Sequence, residues 1–188
     1  VVREPIEGPP DRDRPRAAKA LAPDPRLLGD SGCQVFSAHG SGIGVGLLAG
    51  KMLAESLVRG DGLPGYQRRF MREQGGVLAA YDVFRRYSQH MHTDDLLTLM
   101  RAGLIDAESS AAATAQRLPT LDLKTAKHKL EALTRAPTQA LALAPTVARM
   151  AAAVGLYRAY PDEPDYLHHW SRAIARVVGD REPDITRT

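Results

Sequence analysis

From Gly42 to Arg59 the residues Ile43, Leu47, Gly50, Ala54 and Leu57 recur three or four apart, the spacing of one helical face, and Gly60 and Gly62 follow as stop signals. Pro64 opens a second helix in which Phe70, Val77, Tyr81, Phe84 and Met91 repeat at heptad spacing. Gln74 and Ser88 interrupt that stripe. Gly75 and Gly76 stand in its middle, where each costs about 1 kcal/mol relative to alanine, so a kink or a closely packed neighbour is expected there. Thr93 with Asp94 and Asp95 reads as an N-cap and an acidic first turn, leading to Leu96, Leu97, Met100 and a stop at Gly103.

The remaining helices are shorter or less regular. Asp106 to Arg117 is alanine-rich and weakly patterned, and Pro119 closes it. Leu123, Ala126, Leu130 and Leu133 form an amphipathic stripe. Pro137 suits the first turn of the next helix, which carries Leu141, Ala144, Ala148, Ala151 and Gly155 on a small-residue face; Pro145 inside it predicts a kink or a break. Asp162-Glu163-Pro164 begins the last helix, with Tyr166, Trp170, Ile174 and Val177 inward and Gly179 at its end. The expected fold class is therefore mainly α.

The chain opens differently. Val1 to Pro25 holds six prolines among alternating charges and has no period, which reads as an extended connection, with a strand over Val1 and Val2 at most. Pro25-Arg26-Leu27-Leu28 reads as a short buried strand that ends in Gly29-Asp30. Because the first residue is Val1 and the opening is aperiodic, the chain is expected to begin partway through a longer protein.

Composition changes this picture little. Hydrophobic residues make up 44% and charged residues 25%, ordinary proportions for a globular protein. The net charge of +3 comes from 25 basic and 22 acidic residues scattered without aromatic interleaving, which argues against a nucleic-acid surface. A single cysteine excludes an internal disulfide and fits a reducing, cytoplasmic location. No run approaches the ~20 apolar residues of a membrane span. Lys124, Lys127, His128 and Lys129 read as a basic, solvated face that leaves peripheral membrane contact open.

The candidate chemistry lies between the strand and the first long helix. Asp30 ends an apolar strand, where a carboxylate either caps the following turn or accepts from ligand hydroxyls. About ten residues later His39-Gly40-Ser41-Gly42-Ile43-Gly44 opens the helix with almost no side chains, so unpaired amides face any anion placed there. Cys33 and His39 lie in the connecting loop, each open to a redox or proton-transfer role or to a plain packing or capping role. His90 and His92, two apart, point to different helical faces and do not make a metal site.

The run from Gly29 to Ile43 resembles the second FAD-binding motif of the geranylgeranyl reductase family of flavoproteins. Gly29 and Asp30 match its Gly-Asp pair, and Gly40, Gly42 and Ile43 match its Gly-x-Gly-Ile helix start without a gap. Ala49 to Leu57 is similar to the family's alanine-rich helix, and Tyr66 with Arg68-Arg69-Phe70 to the aromatic and basic cluster that follows. Cys33, Phe36 and Ser37 depart from the pattern at positions where the family has a glycine, a polar residue and a proline. The likeness covers about 40 residues.

That resemblance implies FAD as cofactor, with Asp30 on the ribityl chain and Gly42 and Ile43 toward the pyrophosphate and the pyrimidine edge, flanked by Gly29, Gly40, Ser41 and Gly44. It implies that residues 1–60 complete an FAD-binding domain of an α/β flavoprotein, with one or two residual strands, and that 61–188 form a helical region. The substrate implied is small, hydrophobic and unsaturated. The Gly-x-Gly-x-x-Gly strand-turn-helix that holds the ADP half is absent from this sequence, so tight FAD binding and turnover are not expected of the chain alone. The other reading is a self-contained helical interaction module without catalytic activity.

Overall fold

The computed structural model describes residues 29, 34–37, 40–120 and 123–179. The strand expectations at Val1–Val2 and Pro25–Leu28, and the residues Asp30, Cys33 and His39, lie outside the described residues. Within them the chain is helical: α1 (Ile43–Arg59), α2 (Gly62–Phe70), a π-helical turn (Met71–Gly75), α3 (Gly76–Ser88), α4 (Thr93–Ala102), α5 (Ala107–Thr114), α6 (Leu123–Arg135), α7 (Pro137–Arg158), a 3-10 turn (Pro164–Tyr166) and α8 (Leu167–Val178). No strand forms among the described residues, and their one β-bridge pairs Phe36 with Ser41. The mainly α class follows.

One apolar cluster joins the first helices to the last, from Phe36, Val45 and Met52 through Tyr66, Phe70 and Tyr81 to Tyr157, Trp170 and Ile174. Gly75 and Gly76 belong to its seam. A Cβ on Gly75 would run into the ring of Tyr157, and one on Gly76 would come within 3.1 Å of Val154 Cα. The close neighbour expected at this glycine pair is α7, and the π-helical turn is how α2 passes into α3 beside it.

Two helical faces differ from their expected orientation. On α1 the buried strip is Val45, Ala49, Met52 and Ser56, while Ile43 is 78% exposed, Leu47 72% and Leu57 56%. The two strips are offset by two residues, about 200° around the axis, and both are apolar enough to serve as the inner one. Small residues occur on both, Gly50 and Ala54 on one and Ala49 and Ser56 on the other, and the strip whose Val45, Ala49 and Met52 join the aromatic cluster is the one turned inward.

On α6 the corrected feature is Lys129, which turns inward instead of joining Lys127 and His128 on a solvated basic face. Its ammonium meets Asp106 Oδ2 at 2.7 Å and donates to the carbonyls of Leu104 (2.9 Å) and Gly103 (3.3 Å) and to Ser109 Oγ (3.1 Å). One cation thus satisfies carbonyls just past the end of α4 and the N-cap of α5, and it sets the rotation of α6. Leu130 and Leu133 are left outward.

Burial works to raise the pKa of Asp106, but the Lys129 ammonium together with the amide and hydroxyl of Ser109 outweighs it and pulls the carboxyl down to about 2. A depressed carboxylate contributes stability that is complete above its unfolded pKa and is lost as pH falls through the folded one. About 2 kcal/mol is therefore expected to disappear between about pH 4 and pH 2. Unfolding free energies from urea titrations at about pH 5 and pH 2 should differ less in Asp106→Asn by that amount; an unchanged difference removes the clasp as the cause.

The helix α7 runs unbroken through Pro145, where a kink or break was expected. Pro145 is exposed, and the carbonyl of Leu141 that loses its amide partner lies on the solvent side, where water replaces it. With 22 residues and an 18-residue stretch of mean hydropathy 1.4, α7 is by length and composition apolar enough to cross a bilayer, a length that a break at Pro145 would have denied it. It buries one side, through Leu143, Thr146, Ala153 and Tyr157. The 3-10 turn carries Tyr166 outward, 59% exposed, while Trp170 and Ile174 point inward as expected.

Candidate functional site

The turn that leads to α1 is held by a buried glutamine. Gln34, 4% exposed, donates its backbone amide to the Gly29 carbonyl at 2.9 Å, and its side-chain Oε1 accepts from the Gly29 amide at 2.9 Å. Its Nε2 donates to the Tyr66 hydroxyl, also at 2.9 Å. Gly29 is therefore clamped on both backbone groups, and the clamp is fixed to α2. Burial pushes the Tyr66 hydroxyl above its ordinary pKa, against the opposing pull of the Gln34 bond, and keeps it neutral.

Two residues on, Phe36 is completely buried and its ring lies 4.6 Å from that of Tyr81. Its amide donates to the Ser41 carbonyl at 3.0 Å, and its carbonyl accepts from the Gly40 amide at 2.9 Å. A tight hairpin results. Gly40 takes φ +70° at its end, a conformation that favours glycine. Phe36, which departs from the family pattern, is the anchor of this hairpin, whereas the Ser37 hydroxyl is buried and finds no hydrogen-bond partner.

The hairpin delivers Gly42 as the N-cap of α1, and no side chain caps it. The first turn holds no acidic residue, and the first intrahelical bond shown there runs from the Gly46 amide to the Gly42 carbonyl at 2.7 Å. The amides before it are unpaired by the helix, and Ile43 and Gly44 are exposed. Such a start favours an anionic or electron-rich group.

Over this turn stands Gln116. A Cβ on Gly44 would come within 2.8 Å of Gln116 Oε1, so glycine is what lets the amide approach. Gln116 itself has φ +54°, the one positive φ outside glycine among the described residues. The neighbouring Arg117 carbonyl accepts from the Tyr81 hydroxyl at 2.9 Å, tying this turn to the ring that packs on Phe36.

The structure thus brings together Gly29, Gly40, Ser41, Gly42, Ile43 and Gly44 around one loop and one helix start. It adds Gln34, Tyr66 and Gln116 to them. Tyr66 belonged to the aromatic cluster read from the sequence; Gln34 and Gln116 carried no signal in spacing or composition. Among the described residues no group of three His, Cys, Asp or Glu side chains could hold a metal ion.

Among characterised proteins the chain is similar to digeranylgeranylglycerophospholipid reductase of Sulfolobus acidocaldarius, with 27% identity over 162 residues. The likeness is to a reductase. It takes in 81% of this chain and 35% of the relative, so the chain spans about a third of the length of the curated relative it matches. No protein-family model and no solved structure matches. The similarity supports the geranylgeranyl reductase likeness read from Gly29–Ile43, and it extends well beyond that motif.

Proposed function

We propose that this chain is the C-terminal portion of an FAD-dependent oxidoreductase of the geranylgeranyl reductase kind, acting on a hydrophobic, unsaturated substrate. The observation that carries the reading is the similarity to a lipid reductase over 162 residues of a chain whose first long helix starts bare and uncapped. FAD, when bound, supplies the hydride or electrons for reduction. The chain's own residues bind and orient it.

In this reading the Asp30 carboxylate accepts from the ribityl hydroxyls, and Gln34 clamps Gly29, the residue that precedes it. The amides of Ile43 and Gly44, with the positive end of α1, face the pyrophosphate and the pyrimidine edge of the ring and favour the anionic reduced flavin. Gly40, Ser41 and Gly42 keep that approach free of bulk, and the orphaned Ser37 hydroxyl has a polar partner to gain. The exposed apolar side of α1, with Ile43, Leu47, Leu57 and Val58, then packs against the larger part of a protein the length of the relative. Leu141 and Val147, exposed on α7, suit contact with a membrane surface.

Asp30→Ala in the full-length protein is the test. Losing charge-assisted hydrogen bonds to the ribityl chain should lower flavin affinity about tenfold or more, seen as lost visible absorbance in the purified protein, with the far-ultraviolet dichroism unchanged. Undiminished flavin content would rule the assignment out.

A further inference from the structure

A second site lies away from the start of α1. The end of α3, the first half of α4 and the first half of α7 line a half-open cavity of about 420 Å3, the size of a small-ligand site. Tyr87, six residues beyond Tyr81 on α3, places it about 9 Å further along that helix from the Phe36 hairpin. Leu99, fully buried, forms its floor; Tyr87 and Met91, half-buried, form its walls; and Ala142 lies exposed at its lip.

Polar side chains share the lining: Tyr87, His90, Asp95, Thr138 and Gln139 stand beside Met91, Leu99 and Ala142. Asp95 Oδ1 accepts from Gln139 Nε2 at 3.4 Å, which joins α4 to α7. His90 Nδ1 donates to the Arg86 carbonyl at 2.8 Å, so in the neutral ring Nε2 is an acceptor. Charge selects among head groups. Asp94 and Asp95 both stand in the first turn of α4, while Arg85 and Arg86 on α3 are engaged by Asp82 at 2.7 and 2.8 Å. No lysine or arginine is among the residues that line the cavity, so a carboxylate or phosphate placed here meets the Asp95 charge without a cation on the wall to offset it.

We infer that this cavity binds an amphiphile with an apolar chain and a neutral hydroxyl head. The chain lies over Leu99 and between Tyr87 and Met91, and the hydroxyl donates to the Asp95 carboxylate. Apolar burial supplies the affinity and Asp95 the choice of head. The site uses none of the residues assigned to flavin.

Calorimetric titration of the full chain with 1-decanol, and with decanoate as the charged comparator, tests it without flavin. One saturable site with at least about a tenfold preference for the alcohol is expected. Ala142→Trp, which fills the lip, should weaken decanol binding about tenfold with an unchanged melting temperature, and Asp95→Leu should bring the two ligands to within about threefold of each other. Thr138→Trp, also exposed at the lip, takes the place of Ala142→Trp should that variant melt early. Absence of saturation, or decanol binding that the lip variants leave unaltered, overturns the inference and assigns any uptake to exposed apolar surface such as Leu141. Because the readout involves no flavin, it fails or succeeds independently of the Asp30 experiment.

Discussion

Gly75→Val should cost about 3 kcal/mol or more, and Gly75→Ala about 1 to 2 kcal/mol even though alanine is the better helix former. The backbone at Gly75 is ordinary helix, φ −55° and ψ −40°, so no conformational demand reserves the position for glycine. The demand is steric: the Cβ would occupy the ring of Tyr157, which also packs at right angles to Trp170. The contrast is Gly50, in the interior of α1, where an added Cβ would meet nothing within 4 Å and Gly50→Ala should stabilise by about 0.5 to 1 kcal/mol. Urea unfolding of the two alanine variants decides it. Should both gain stability, the close approach of α7 to the π-helical turn is wrong.

The same contrast marks how much was legible in the sequence. Helix ends were, because their signals are local: Gly60, Gly103 and Gly179 are left-handed C-caps, and Pro137 opens α7 where its missing amide removes no bond. Helix faces were less so. The strips Ile43–Leu47–Leu57 and Val45–Ala49–Met52 both have helical spacing, and only the aromatic side chains packed beside them decide which turns inward. Charge alone places Lys129 in solvent; the two carbonyls, the carboxylate and the hydroxyl that hold it come from residues 20 to 26 positions away. At the candidate site the bare helix start was visible as a glycine pattern. Gln34 and Gln116 were not, since one acts through a fold-dependent bond to Tyr66 and the other through a positive φ that glutamine's identity does not announce.

Trp170→Ala should be the most damaging single truncation, at about 4 kcal/mol. The indole is 6% exposed and meets two rings edge-on, Tyr157 at 5.0 Å and Tyr160 at 4.9 Å. Its Nε1 donates to the Leu156 carbonyl at 2.8 Å. That carbonyl lacks its helical donor, because the Tyr160 amide turns instead to Tyr157 O at 3.0 Å, so the indole caps the end of α7. Tyr160 in turn receives Arg72 on its carbonyl at 2.7 Å and Gln67 on its hydroxyl at 3.0 Å, and the loss therefore reaches α2 and the π-helical turn. Trp170→Phe keeps a ring but orphans the Leu156 carbonyl, and should cost about 1 to 3 kcal/mol. Combining Trp170→Ala with Gly75→Ala should cost less than the sum by about 1 kcal/mol, because the Tyr157 ring, released from the indole, can yield to the new methyl. Chemical denaturation followed by circular dichroism measures all four proteins. Strict additivity would mean that Trp170 does not hold the Tyr157 ring against Gly75.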